Sequence, residues 1–430
     1  MKNNNKKISI FIQVYGDRVW NALNKEFIEL SSEEIEFINN NRNNFDILEY
    51  PQRLYDLGII TSDWREKELI KYLKKITTDN QFQSLYLITT TNCNLDCDYC
   101  FYRSSSSQSL QMKENMSFDI AKQSMNDFKK IISNNIKDND YWEQITFYGG
   151  EPLINRNLLY QAIPYARMLF GSDINVVINT NATLLIDSDI ELFRKYNVEV
   201  QVSLDGNREQ HNLHRKTSNG ELTYDIVISN MKRLLNNGVK VLPMITATDA
   251  NIHNFSEVLL EISQELRIND FAVNVLITNS YGVEEEYTEI LSSEMLRAYK
   301  EFGEIATDCV FVELYQKLLG IDKSISKNSC GSSRKITVFP NGKVYACQAL
   351  EKVAQNYMGT LSTDYAKNSN WECWRNRSRF DNSECLECSS VLSCGGGCAT
   401  GSFNLNSSIY DLDKNNCEYT RKLFKKIHNV

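Results

Sequence analysis

Between residues 82 and 310, short runs rich in β-branched and aromatic residues alternate with longer stretches whose apolar residues recur at helical spacing. The runs are Ser84 to Thr89, Gln144 to Tyr148, Asn175 to Asn179, Val198 to Ser203, Val239 to Ile245 and Phe271 to Ile277. The stretches between and after them predict helices near 117–135, 155–169, 186–195, 222–236, 253–266 and 293–308. Each helix follows its strand, the order that a parallel βα repeat requires. A barrel, complete or partial, would gather the strand C-termini into one mouth, where such folds keep their chemistry. An open doubly wound sheet is the competing topology, and periodicity does not separate the two.

The flanks read differently. Before residue 80 lie an apolar start, Ile8 to Val14, and a strand-like Glu26 to Leu30. Ser31 and Glu34 have capping-box spacing for a helix through Ile35 and Phe37, and a second helix holding Leu54 and Leu57 is expected to stop at Gly58. After residue 320 the texture turns to Cys, Gly, Asn and Ser. Lys335 to Phe339 and Lys343 to Cys347, joined by Pro340-Asn341-Gly342, predict a hairpin. Ser104 to Ser107 reads as a polar loop.

Composition narrows the class. The 430 residues suggest two or three domains, and 42% apolar with 24% charged residues and only 5 Pro describes a folded chain. The formal charge of -8 disfavours nucleic acid as substrate, and no apolar run is long enough to span a bilayer. The lysines and apolar residues of 1–12 read as a first strand rather than a signal peptide, because Gln13 interrupts them and no small-residue cleavage site follows.

The 12 cysteines change the picture most. None lies between Cys100 and Cys309, which does not suit a stapled secreted scaffold; metal or cluster ligation in a reducing cytoplasm is the better reading. Cys93, Cys97 and Cys100 form C-x-x-x-C-x-x-C directly after the first barrel run. A four-iron cluster usually takes four thiolates, so three leave one iron open to an outside ligand. A zinc site completed by a distant residue is the alternative. His211 and His214 are polar loop histidines to which no catalytic role is assigned.

This segment resembles the radical SAM superfamily, whose signature is the same spacing with an aromatic residue, here Tyr99, before the last Cys. The likeness continues in Gly149-Gly150-Glu151-Pro152, similar to the GGEP segment that binds the methionyl amino group of S-adenosylmethionine. Asn179-Thr180-Asn181-Ala182-Thr183 is similar to the family's Thr-Asn-Gly-Thr segment near the cofactor, with Ala182 in place of Gly. The resemblance further implies that Ser203 and Arg215, and less directly Asn181 and Asp205, engage the cofactor. One electron from the cluster would then cleave the cofactor to a 5'-deoxyadenosyl radical able to abstract hydrogen from an unactivated carbon.

The remaining cysteines resemble the seven-cysteine SPASM domain, which holds auxiliary iron-sulfur clusters. By that resemblance Cys385, Cys388, Cys394 and Cys417 ligate one auxiliary [4Fe-4S] cluster, while Cys330, Cys347 and Cys398 share another. Cys309 or Cys373 could supply the latter's fourth ligand, or its iron could stay open; a two-zinc knuckle is the competing reading. The expected fold class is α/β. It comprises a partial (β/α)6 TIM-type barrel over 81–310, a C-terminal Cys-rich iron-sulfur SPASM domain over 320–430, and a small N-terminal α+β, winged-helix-like unit over 1–80.

The activity so implied is that of a maturase that crosslinks a ribosomally synthesised precursor peptide through a thioether or carbon-carbon bond. The N-terminal unit would capture the leader by strand addition, and flavodoxin or ferredoxin would supply electrons. The alternative is an anaerobic sulfatase-maturing, formylglycine-generating enzyme. In those enzymes an Asp base follows the Cys of the G-x-x-x-x-C segment, whereas Gln348 follows Cys347 here. A reading from another class is an iron-sulfur electron carrier without chemistry of its own, to which GGEP, Ser203 and Arg215 would be useless.

Overall fold

The computed structural model describes residues 6–42, 50–78, 81–103, 113–137, 142–275, 285–303, 310–327 and 331–430. The chain divides into two compact units, neither of them contiguous: 1–79 with 312–330 and 377–430, and 80–311 with 331–376. The expected block 320–430 is therefore shared between them. Cys309, Cys330 and the Ser104–Ser107 loop lie outside the described residues.

In the first unit, β1 (Lys6–Ile8) pairs antiparallel with β5 (Ile60–Ser62). The strands β2 (Ile12–Tyr15), β3 (Arg18–Asn21) and β4 (Glu26–Glu29) form a meander. The single start strand expected over Ile8 to Val14 is thus broken in two. The Ser9 amide donates to the Ile59 carbonyl, and the Phe11 carbonyl accepts from Ala22, so the two pieces serve different sheets. The capping box is present: the Ser31 amide donates to Glu34 Oε2 at 2.9 Å, and the Glu34 amide donates to Ser31 Oγ at 3.2 Å, starting the helix Ser32–Asn40. The helix Gln52–Asp56 buries Leu54 and ends at Gly58, whose φ of +71° suits glycine. Ile8, Ile12, Val19, Ile38, Leu54 and Ile59 share one core. The helix Asp63–Thr77 was not anticipated by the sequence reading, although Ser62 caps it. From the C-terminal part of the unit, the helix Lys414–His428 brings Phe424 against Trp20, ring centroids 5.0 Å apart. The Trp20 indole donates to the Ser389 carbonyl at 2.9 Å, and Tyr15 shares a 2.6 Å hydrogen bond with the Ser389 hydroxyl.

The second unit is built on a nine-stranded sheet. Its first six strands are β6 (Ser84–Thr90), β7 (Gln144–Gly149), β8 (Asn175–Thr180), β9 (Glu199–Ser203), β10 (Val241–Ala247) and β11 (Ala272–Val275), all parallel. The connecting helices are Phe118–Ile132, Arg156–Phe170, Asp187–Lys195, Tyr224–Asn236 and Phe255–Leu266, and Glu285–Phe302 follows the last strand. They form where the apolar spacing places them because each buries one stripe, for instance Ala121, Met125, Phe128 and Ile132. A short helix, Arg208–His214, interrupts the fourth connection and lay beyond the pattern.

The predicted hairpin becomes β12 (Lys335–Val338) and β13 (Lys343–Tyr345), followed by β14 (Tyr357–Thr360). What the sequence did not reveal is where the hairpin goes. β12 pairs in parallel with β6, Lys335 opposite Ser84 and Val338 opposite Leu87, and so extends the sheet beyond its first strand. Among the described residues the outer strands are β11 and β14, and no helix is long and apolar enough to cross a membrane.

Candidate active site and thiol sites

Cys93, Cys97 and Cys100 follow β6 in one loop that folds against the exits of the neighbouring strands. The Gly150 amide donates to the Thr90 carbonyl at 2.9 Å and the Glu151 amide to the Asn92 carbonyl at 2.8 Å. A Cβ on Gly149 would collide with the Thr90 carbonyl, and one on Gly150 with the Asn92 carbonyl. Gly149 also has φ +149°. The two glycines are therefore required by backbone meeting backbone, which seats the GGEP turn on the first residues of the cysteine loop.

Glu151 is fully buried, and its carboxylate accepts from the Leu153 amide at 3.0 Å, the Thr180 hydroxyl at 2.6 Å and the Asn181 amide at 2.7 Å. Burial pushes its pKa up to about 7, with these donors and Arg156 pulling the other way. Pro152 opens the one-turn segment Pro152–Asn155. Asn181 donates to Asn94 Oδ1 at 3.0 Å and reaches Cys93 Sγ at 4.0 Å. Ala182 holds φ +56° and is entirely buried, its carbonyl accepting from Asn230 at 2.7 Å.

Asp205, after β9, is a second hub. Its carboxylate accepts from the Tyr99 phenol, from Arg215 Nε at 2.6 Å and Nη2 at 3.3 Å, and from the Thr246 amide at 3.1 Å. Its own carbonyl accepts from Asn251 Nδ2 at 2.8 Å. Burial raises the pKa of this carboxyl, but the Arg215 guanidinium outweighs it and holds the group below the usual range. The Arg215 guanidinium also lies 5.4 Å from the Tyr99 ring centre. Glu151 with Asn181, and Tyr99 with Asp205 and Arg215, are thus two groups that each meet the cysteine loop, while Ser203 stands half-buried at the end of β9.

His214 adds a bracket that the sequence reading left unassigned. Its Nδ1 meets Asp98, between Cys97 and Tyr99, at 2.9 Å, and its Nε2 meets Asp249, beyond β10, at 3.1 Å. His211 instead lies buried with Nε2 3.1 Å from the Thr223 hydroxyl, and burial lowers its pKa to about 4, so it stays neutral. Asp249 could have been suspected from its position past the fifth parallel strand, where such sheets place functional side chains.

Burial pushes the Cys93 thiol up to about 12 and the Cys97 thiol to about 11, with Arg215 opposing the rise at Cys97. Thiols so placed become thiolates when a metal displaces the proton. Among the described residues no three His, Cys, Asp or Glu side chains are placed to hold one metal ion. Three thiols carried on one short loop are a donor set that an iron-sulfur cluster takes, each thiolate on a different iron.

In the other unit, Cys385, Cys388, Cys394 and Cys417 line one small cavity with Arg379, Ser390, Val391 and Thr420. This is the quartet that the SPASM resemblance implies, with Cys417 rather than Cys398 as its fourth member. Burial pushes the Cys385 thiol up to about 12 and raises those of Cys394 and Cys417. Cys398 belongs to the same unit, its amide donating to Asp413 Oδ2 at 2.8 Å. Cys347 belongs to the sheet unit, where its amide donates to Asn356 Oδ1 at 2.8 Å and Asn356 returns the bond to the Cys347 carbonyl at 2.8 Å. Next to it, Gln348 Oε1 accepts from Lys335 Nζ at 2.7 Å. Cys373 is half-buried in the helix Asn370–Arg375.

Residues 87–262 match the Radical SAM superfamily. The radical SAM cyclopropyl synthase TigE of Paramaledivibacter caminithermalis is 22% identical over 92% of this chain and 84% of its own. A cysteine-type anaerobic sulfatase-maturating enzyme of Clostridium novyi is 24% identical over 72% of this chain and 85% of its own. Among solved structures, anSMEcpe with bound AdoMet superposes with TM-score 0.65 at 19% identity, covering 81% of this chain and 98% of that one. Streptococcus suis SuiB bound to precursor peptide SuiA gives TM-score 0.55 at 20% identity, over 96% and 99%.

Proposed function

We propose that this chain, a radical SAM enzyme through its domain at 87–262, is a maturase that modifies a ribosomally synthesised precursor peptide by installing a thioether or carbon-carbon crosslink. The observation that carries the reading is the seating of Gly149 and Gly150 against Thr90 and Asn92, which joins the three-thiol loop to the GGEP turn. Cys93, Cys97 and Cys100 would hold the [4Fe-4S] cluster. S-adenosylmethionine would bind along Tyr99, the GGEP turn, Asn181 and Ser203, with Asp205 and Arg215 holding Tyr99 in place. When bound, the cluster and cofactor supply a 5'-deoxyadenosyl radical. The protein's part is to fix the loop, position the peptide and exclude water.

The quartet Cys385, Cys388, Cys394 and Cys417 fits an auxiliary cluster, since four thiols around one cavity are the usual donor set. In this reading the sheet unit is a partial barrel and the Cys-rich segments are a SPASM domain. The N-terminal meander with its helices is a winged-helix-like leader-binding unit, able to accept a peptide strand at a sheet edge. Electrons would come from a flavodoxin or ferredoxin, and the thiols point to the reducing cytoplasm.

Coverage supports an enzyme of the TigE and SuiB kind over a sulfatase maturase, whereas the superposition is better on the sulfatase-maturating structure, TM-score 0.65 against 0.55. The likenesses to TigE and SuiB span 92% and 96% of this chain, those to the sulfatase-maturating proteins 72% and 81%. Gln348 supports the same choice, since an amide held by Lys335 cannot serve as a carboxylate base. The test is anaerobic reconstitution with iron, sulfide, dithionite and S-adenosylmethionine. The expected outcome is 5'-deoxyadenosine release; coexpression with short reading frames encoded nearby should give a peptide lighter by two hydrogens per bond. An aldehyde formed on a sulfatase peptide would favour the alternative, and clusters without cofactor cleavage would leave an electron carrier.

A further inference from the structure

We propose that the polar face of the nine-stranded sheet seats the substrate peptide through a carboxylate, and that Lys335 is the residue that pairs with it. The inference deepens the maturase reading above and rests on it. The peptide it describes carries an aspartate or glutamate several residues from the position that is modified.

The sheet has two unlike faces. Leu85, Leu87, Ile145, Phe147, Val200 and Val202 occupy one of them and are wholly buried. The alternate residues point the other way. There the register sets Lys335 opposite Ser84, Thr337 opposite Tyr86, Tyr86 opposite Thr146, and Asn179 opposite Gln201. Tyr86, Tyr148, Asn179, Gln201 and Lys335 are only half-buried, so this face is polar and within reach of a ligand.

Lys335 is the cation of that face. Its Nζ lies 4.6 Å from the centre of the Tyr86 ring and donates to Gln348 Oε1 at 2.7 Å. Both partners are neutral, and among the described residues no carboxylate pairs with it. Arg156 and Arg215 of the same unit, by contrast, meet Asp189 and Asp205. A half-buried ammonium that has lost part of its water and met no anion favours the binding of one.

Two further polar atoms on the face wait for partners. The Thr337 hydroxyl and Asn179 Oδ1 are out of reach of solvent, and neither has a hydrogen bond among the described residues. Asn179 Nδ2 donates to Gln201 Oε1 at 2.9 Å, and Gln201 Nε2 donates to Glu199 Oε1 at 2.9 Å, so this row of amides ends in a bare acceptor. A buried polar group without a partner costs stability, which a peptide amide at Asn179 and a carboxylate near Thr337 would recover.

The anion is a side chain of the peptide rather than the carboxylate of the cofactor. Lys335 stands at Ser84, the first residue of β6, whereas the cysteine loop follows Thr90, the last. A strand of that length rises roughly 20 Å, farther than a methionyl group held at the loop can reach.

The test measures how fast the Lys335 amine is acetylated by an N-hydroxysuccinimide ester in the full chain, reconstituted anaerobically with iron and sulfide and read by mass spectrometry. The probes are two pools of acetylated, amidated nonapeptides, otherwise random and uncharged, with Glu or Gln at the centre. The Glu pool is expected to slow labelling of Lys335 several-fold relative to the Gln pool while the other lysines label alike. Equal rates with the two pools, or slowing at every lysine, overturn the inference. Slowing by S-adenosylmethionine alone assigns the anion to the cofactor and overturns it as well. Gln348→Glu supplies a carboxylate from within the chain, so the difference between the pools is expected to vanish there, and its survival counts against Lys335. Labelling needs no turnover. The maturase reading fails separately, if the wild type releases no 5'-deoxyadenosine, whichever way the pools divide.

Discussion

Arg215 meets the buried carboxylate of Asp205 through two nitrogens, at 2.6 and 3.3 Å, and the same carboxylate receives the phenol of Tyr99 from within the cysteine loop. The pair fixes the loop from behind the aromatic residue. Arg215→Ala leaves a buried carboxylate without its cation, which costs about 3–5 kcal/mol. The expected result is a lower unfolding midpoint and loss of iron from the first site, while iron at the quartet is retained. Iron per chain, measured beside a variant lacking the quartet, checks this.

Gly150→Ala places a methyl group into the Asn92 carbonyl, backbone that cannot yield without moving Cys93. Cofactor cleavage in the absence of peptide is expected to fall by two orders of magnitude or more, on the order of the ~3 kcal/mol that a small misplacement of reacting groups costs. Release of 5'-deoxyadenosine under dithionite is the measurement.

Ala182 occupies the left-handed region at φ +56°. Ala182→Gly relieves that strain, worth about 1 kcal/mol, against the loss of one buried methyl group. Stability is expected to hold or rise slightly, whereas Ala182→Val should lower it by about 2 kcal/mol or more. Parallel thermal melts of the two variants decide.

Burial raises Glu151 from 4.5 to about 7, so the folded state holds a proton that the unfolded chain releases earlier. Its contribution to stability is full below about 4.5 and is lost as pH rises through about 7. The wild type should therefore lose stability relative to Glu151→Gln between these values, by up to about 3 kcal/mol. Denaturant titrations of both proteins at pH 5, 6 and 7 test the sign.

Trp20 and Tyr15 both bond to Ser389, the neighbour of Cys388. Deleting residues 1–80 should consequently cost iron at the quartet as well as affinity for a precursor peptide. Iron analysis of the deletion variant distinguishes this from a unit that only binds peptide, in which the iron would stay.

Much of the candidate site was legible because its determinants are local. The cysteine spacing, the Gly-Gly turn after the second parallel strand and the Ser31–Glu34 cap each depend on a few consecutive residues. The bracket Asp98–His214–Asp249 was not legible, since it joins two loops and the end of a short helix whose approach only the folded sheet defines. Arg379 escaped notice for a similar reason: an arginine reads as surface charge until burial shows otherwise. The parallel pairing of β12 with β6 links residues some 250 apart, and neither hairpin chemistry nor apolar period carries that register.

That pairing also governs how the protein must be made. β6 has one neighbour, β7, from early in the chain, but its other edge waits for Lys335–Val338 to leave the ribosome. Until then the strand bearing the cysteine loop exposes a bare row of amides and carbonyls, a template for wrong partners. A fragment ending near residue 310 would keep that edge open permanently, so the part of the chain that matches the Radical SAM superfamily cannot be excised cleanly from the Cys-rich sequence that follows it.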